Sequence, residues 1–203
     1  YVEAYDAETD MYFGMSVYYG YALNGKGLEI LHVGNEVRIV GTVQYYEAGN
    51  TWQVSDLNYR MMKPKDPGNI QKLSDGHQPS YVLTDAHTFN HGKVAIQGEE
   101  ETLVFDYAPM AVATSVEMRD LKVVHAYTTQ DEDSASNGAM TRICQAGEET
   151  IQVRTTVFHD ENRVLITQDQ YLGRVIDVKG IVDYYDGVYQ IKVFTPASIT
   201  LHP

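Results

Sequence analysis

VGNEVRIVGTVQYY (Val33–Tyr46) and LGRVIDVKGIVDYY (Leu172–Tyr185) are nearly the same phrase, written 139 positions apart. They align without a gap: Val37 with Ile176, Ile39 with Val178, Gly41 with Gly180, Val43 with Val182, and Tyr45-Tyr46 with Tyr184-Tyr185. Alternating apolar residues mark a strand with one face in a core. This predicts Val37, Ile39 and Val43 inward in one copy, and Ile176, Val178 and Val182 inward in the other. A shared glycine inside a strand points to a bulge or sharp bend. Each phrase continues through a turn, EAGN or DG, into a second short strand, where Trp52-Gln53-Val54 matches Tyr189-Gln190-Ile191. One hairpin is written twice.

Carried backwards, the same offset sets AETDMYFGMSVYY (Ala7–Tyr19) opposite AGEETIQVRTTVF (Ala146–Phe158), each a turn followed by a strand. The stretches ALNGKGLEILHV and ENRVLITQDQYL, between strand and hairpin, read as a short helix or irregular cap. The second copy also carries an earlier strand whose counterpart would precede Tyr1. Five strands are therefore expected there: Ser115–Thr129, Ala139–Gln145, Thr150–Phe158, Arg174–Tyr185 and Val188–Phe194. The first copy is expected to lack its opening strand.

Residues 1–62 thus read as a first, incomplete unit and 111–203 as a second, complete one. Between them, in 63–110, KPKDPGN and SDGHQPS are loop signals. KVAIQGEEETLVFDY (Lys93–Tyr107) reads as an added hairpin with an acidic tip at Glu99–Glu101. Being tethered, this hairpin is expected to supply the missing strand of the first unit; the alternatives are a strand from another chain, or none, leaving an open edge beside Tyr1–Asp6.

Five short strands with a cap between the third and fourth is the order of an OB-fold, a small Greek-key barrel. GRVIDVKGIVDYYDGVYQIKVF and VGNEVRIVGTVQYYEAGNTWQV resemble the fourth-and-fifth-strand signature of bacterial OB-fold domains. Such domains occur in secreted and surface proteins, sometimes beside nuclease or nucleotidase domains. The resemblance implies an all-β chain of two tandem five-stranded OB-like barrels and a secreted or cell-surface location. It implies fold more than function, because this barrel serves many unrelated ligands.

Composition narrows the function. Tyrosine is abundant, at 16 against 5 Phe and 1 Trp, which suits pleated half-buried surfaces. Acidic residues outnumber basic ones 28 to 15, for a net charge of −13, and neither half of the chain is basic. Nucleic-acid binding depends on cationic neutralisation of phosphates, so this balance disfavours it. Cys144 is the only cysteine, which excludes an intrachain disulfide and a cysteine-based zinc site. No apolar run approaches a membrane span. A start at Tyr1, with neither Met nor signal peptide, points to a processed product or a segment of a longer protein.

OB-folds bind on the face of strands two and three and at nearby loops. In MYFGMSVYYGY, the residues Met11, Phe13, Met15, Val17 and Tyr19 would face one way, leaving Tyr12 and Tyr18 on the other. Together with Tyr5 these tyrosines are candidates to stack on sugars or bases. The competing reading makes them cross-strand packing partners or the cover of a neighbouring domain. The corresponding strand of the second copy offers Gln152 and Arg154 instead, so the two copies are not expected to share a ligand mode.

Other motifs are weaker. TDAHTFNHG sets His87 and His91 at a zinc-ligand spacing, but only a helix would bring them together. Asn90 and Gly92 argue against one, so solvated loop histidines are expected and no metal site is assigned. In QDEDSASNG (Gln130–Gly138), Ala135 falls where a calcium loop needs an oxygen donor. NGKGLEI lacks the third glycine of a phosphate loop, having Ile30 there. No Gly-x-Ser-x-Gly occurs, and Cys144 lies in an apolar-alternating strand where a buried, inert thiol is the default. The sequence therefore predicts a protein that is not an enzyme and needs no cofactor. It reads as a binding or scaffolding module of a larger bacterial protein, with a protein or glycan as ligand. A single-stranded nucleic-acid binder, or an accessory domain of a nuclease, is the alternative.

Overall fold

Residues 1–18, 27–166 and 170–203 are described by the computed structural model, and β-strands dominate them. Strands β1 (Val2–Asp6) and β2 (Met11–Val17) form a hairpin. Its turn is shaped by Asp6, whose carboxylate accepts from the Thr9 N–H at 3.0 Å and the Thr9 hydroxyl at 2.6 Å. The first quoted phrase gives two strands, β3 (Glu36–Arg38) and β4 (Thr42–Tyr46), parted around Gly41. A 3-10 turn at Glu47–Gly49 leads into β5 (Thr51–Ser55), antiparallel to β4 and parallel to β2. The sheet order is β1-β2-β5-β4. Strand β6 (Gln71–Ser74) returns to pair with β3, over a small core of Leu57 and Ile70.

The connecting segment holds β7 (Val82–Leu83), helix α1 (Ala86–His91), the hairpin β8 (Lys93–Gln97) and β9 (Thr102–Asp106), and helix α2 (Tyr107–Ala111). Two expectations fail here. The histidine segment is helical, because Asp85 caps it: its carboxylate accepts from the Thr88 N–H and hydroxyl, both at 2.8 Å. Burial of Ala86 and Phe89 then holds the helix down, since tertiary packing outweighs weak local propensity in a short helix. The 93–107 hairpin does not complete the first sheet; β8 and β9 pair only with each other. Its base is closed by the Tyr107 N–H donating to the Gly92 carbonyl at 2.9 Å. The flanking helices sink Phe89, Ala108 and Ala111 into the second unit's core, which anchors the hairpin there.

Strands β10 (Ser115–Thr128), β11 (Ala139–Ala146), β12 (Glu149–Val157), β13 (Val175–Tyr185) and β14 (Val188–Val193) fall close to the five predicted. Neighbours run β10-β11-β12-β14-β13, and β13 pairs again with β10, closing a five-stranded barrel. Only the β12–β14 contact within it is parallel. Strand β10 serves both partners because its register shifts between Met118 and Leu121 and again between Val123 and His125. Such bulges increase local bend and twist. Val116, Met118, Leu121, Val153, Ile176 and Ile191 fill the interior, each essentially inaccessible. Outside it, β7 extends β10, and β15 (Ile199–Leu201) pairs with β13. Among the described residues, no helix is long and apolar enough to cross a membrane.

The two quoted phrases adopt the same hairpin register. Thr42 lies opposite Ser55, Val43 opposite Val54 and Tyr45 opposite Trp52. Ile181 lies opposite Lys192, Val182 opposite Ile191 and Tyr184 opposite Tyr189. The shared glycines mark close approach of backbone: a Cβ at Gly41 would meet the Ser55 carbonyl oxygen at 2.3 Å. One at Gly180 would meet that of Lys192 at 2.6 Å.

Burial follows closure. Ile176, Val178 and Val182 are buried as predicted, whereas Val37 and Ile39 are half-buried and Val43 is 55% exposed. Among the described residues no fifth strand covers Val43, because β4 is the edge of the first sheet. The backward alignment is also shifted. Val17 lies beside Val54, while Val153 lies beside Ile191, so Val17 corresponds to Val153 rather than to Thr156.

Candidate ligand cleft between sheet and barrel

Several contacts among the described residues seat the first sheet against the second unit. Glu3 on β1 accepts from the Ser80 N–H at 2.7 Å, the Ser115 N–H at 2.8 Å and the Ser115 hydroxyl at 2.8 Å. Gly14 on β2 faces the Ala113–Thr114 backbone, where a Cβ would lie 2.3 Å from the Ala113 carbonyl carbon. Asn50, in the turn of the first hairpin, donates to the Tyr189 hydroxyl at 2.6 Å and accepts from the Tyr45 hydroxyl. This seating leaves every residue of β2 half-buried, in place of the predicted alternation.

Between these contacts opens a cleft of about 650 Å³, within the range of small-ligand sites. Tyr1, Tyr18 and Tyr46 line it from the sheet side, and Tyr184 and Tyr185 from the barrel. Tyr18 is 56% exposed, Tyr46 49% and Tyr185 67%, so their rings are available to a ligand. The Tyr18 N–H donates to the Val54 carbonyl at 2.9 Å, which fixes that residue beyond the end of β2.

Among the described residues, the charged side chains lining the cleft are one acid and one base. Asp183 and Lys192, diagonal neighbours on β13 and β14, approach to 3.8 Å. Gln190 donates to Asp183 at 3.0 Å and accepts from Gln152 at 2.7 Å, an amide chain that orients the carboxylate. Desolvation against the barrel, and then the Asp183 charge, push the Tyr1 phenol up to about 12. The hydroxyl therefore stays a hydrogen-bond donor through the neutral range.

Of the predicted site residues, Tyr18 lines the cleft and Gln152 reaches it through Gln190. Tyr5 and Tyr12 are cross-strand partners with ring centroids 5.3 Å apart, and the Tyr5 hydroxyl donates to Asp10 at 2.6 Å. Arg154 is held by the hydroxyls of Thr141 at 2.8 Å and Thr129 at 2.9 Å, away from the cleft lining. Tyr46, Asp183, Tyr184, Tyr185 and Lys192 were not singled out as site residues. The signal for the three tyrosines is the doubled Tyr-Tyr that ends each quoted phrase; Asp183 and Lys192 carry no such signal.

Two clusters of metal-ligand type occur among the described residues. In one, Asp177 accepts from His202 at 2.6 Å and from the Asp120 N–H at 3.0 Å, which ties the segment after β15 to the barrel. In the other, His87 and His91 converge on Glu149, whose carboxyl is held below its usual range by hydrogen bonds from Asn90 and then His87. Cys144 is buried in the barrel core. No protein-family model matches the chain, and no match was found among curated proteins.

Proposed function

We propose that the chain is a non-catalytic binding module of a larger secreted or cell-surface bacterial protein, and that its cleft takes a segment of glycan. The carrying observation is five tyrosines around one concavity in which, among the described residues, the charged side chains are Asp183 and Lys192. Tyrosine offers an apolar face for a sugar ring and a hydroxyl for its oxygens. The Asp183 carboxylate, oriented by Gln190, supplies a directional group that fixes a sugar hydroxyl. In support of two OB-like units, the sheet order β1-β2-β5-β4 repeats the barrel order β11-β12-β14-β13, each with a parallel third-to-fifth contact. Oligosaccharides are among the ligands this barrel class carries.

The second reading, a single-stranded nucleic acid, draws on the same aromatic rings. It is ranked lower because one lysine against one aspartate gives the cleft no surplus of positive charge for phosphates. Calorimetric titration of the chain with soluble oligosaccharides, and separately with single-stranded DNA at low salt, distinguishes the two. Saturable heat with an oligosaccharide supports the proposal. Binding confined to DNA, and weakening steeply with added salt, would replace it with the alternative.

A further inference from the structure

We propose that His87, His91 and Glu149 form a site for one divalent transition-metal ion of the zinc class, which staples helix α1 to the barrel. The site lies outside the tyrosine cleft and is independent of what the cleft binds. Helix α1 sets His87 and His91 four residues apart on its outer side while Ala86 and Phe89 bury the inner one. Glu149 arrives from a different element, at the first position of β12 and opposite Ala146.

The donors converge as a metal would require. His87 Nδ1 lies 3.1 Å and His91 Nε2 3.2 Å from the same oxygen, Glu149 Oε1. All three donor atoms lie within 4.8 Å of one another. Metal–ligand bonds of about 2.0–2.1 Å in a tetrahedron place neighbouring donors about 3.3 Å apart, close to these separations. The other carboxylate oxygen, Oε2, accepts from Asn90 Nδ2 at 2.7 Å, which turns Oε1 toward the imidazoles. Hydrogen bonding from beyond the ligand shell of this kind is how proteins aim a ligating group.

Donor chemistry selects the ion. Two imidazoles with one carboxylate suit zinc, copper, nickel or cobalt, whereas magnesium and calcium prefer all-oxygen shells. Three protein ligands leave a fourth position for water or a donor from a partner. The histidines are the solvent-facing members, at 76% and 59% side-chain exposure, so an ion can enter without unfolding the barrel. Asp85 and Glu148 lie beside the ligands in the chain and add negative charge near the site.

The test uses the whole chain stripped with chelator and titrated with zinc chloride, with cobalt chloride as a spectroscopic probe. One ion per chain is expected, with cobalt showing the visible ligand-field bands of a four-coordinate site. His91→Ala and Glu149→Gln should abolish both signals while circular dichroism stays unchanged, since His91 is exposed and Gln keeps the shape of Glu. Asn90→Ala should weaken zinc affinity by roughly 10- to 100-fold. His202→Ala, in the other cluster, should leave it unaltered. Zinc should raise the melting temperature of the wild type and of His202→Ala, but not that of His91→Ala or Glu149→Gln. Uptake that survives in His87→Ala and His91→Ala, no uptake at all, or equal binding of calcium would each overturn the proposal.

Discussion

Asn50 donates from its side-chain amide to the hydroxyl of Tyr189 at 2.6 Å, joining the turn of the first hairpin to the matching hairpin of the barrel. Residues 48 and 49, next to it in the chain, line the cleft, so this bond bears on cleft width as well as on docking. Asn50 adopts φ 41, a left-handed conformation that glycine also tolerates. Asn50→Gly therefore removes the bond without straining the turn. We expect a loss of about 1 kcal/mol in unfolding free energy, the usual net worth of one hydrogen bond. Chemical denaturation measures it, and an unchanged midpoint would mean that the turn does not hold the sheet to the barrel.

Glu3 gives a larger effect at the opposite contact. Its carboxylate satisfies two backbone N–H groups and a hydroxyl from Ser80 and Ser115. Glu3→Ala leaves these donors without it, and half-buried donors left unpaired cost about 1–3 kcal/mol. Hydrogen exchange should show the Ser80 and Ser115 amides losing protection before the barrel amides of Val153 and Ile191 do.

The matched pair Val43 and Val182 tests the difference in closure. Val182 is fully buried and Val43 is 55% exposed, though they occupy the same register position. Val182→Ala should cost about 1.5–3 kcal/mol, from lost burial and the cavity left behind. Val43→Ala should stay within about 0.5 kcal/mol, as surface changes do. Equal costs would mean that Val43 is covered in solution, by a further strand or a second chain.

Much of this architecture was legible because period-two patterning determines faces. The register of both hairpins, the five barrel strands and the inward set Ile176, Val178 and Val182 all follow from alternation and a repeated glycine. Burial of Val43 did not follow, since it depends on a neighbouring strand that a local pattern does not encode. Helix α1 was missed because its stability comes from Asp85 capping and from Phe89 reaching a distant core, against unhelpful local residues. The 93–107 hairpin was correctly seen as a hairpin but misplaced, because its anchors are the helices on either side. The cleft is half legible in the sequence: Tyr18 follows from strand alternation, but Tyr46 and Tyr185 come to line it only because the two units face each other.

Tyr1 gives a pH signature for the cleft. Its phenol is raised from 10.0 to about 12, first by desolvation and then by Asp183. A phenol raised by folding adds stability that is fully present below its unfolded value. That contribution is lost as pH rises from about 10 toward 12. Solvent screening at this half-exposed ring keeps the effect modest. Ultraviolet titration of wild type against Tyr1→Phe should reveal one late-ionising tyrosine, and Asp183→Asn should lower its midpoint. A difference curve centred near 10 would place Tyr1 outside the cleft.

The decisive measurement is binding of the chain to an array of oligosaccharides, compared with a folded Tyr46→Ala/Tyr185→Ala double variant. The account predicts that a defined set of glycans binds the wild type and that the double variant loses them. Circular dichroism should match between the two, since both rings are exposed. Absence of any glycan binding by the wild type, or binding that survives removal of both tyrosines, would contradict it.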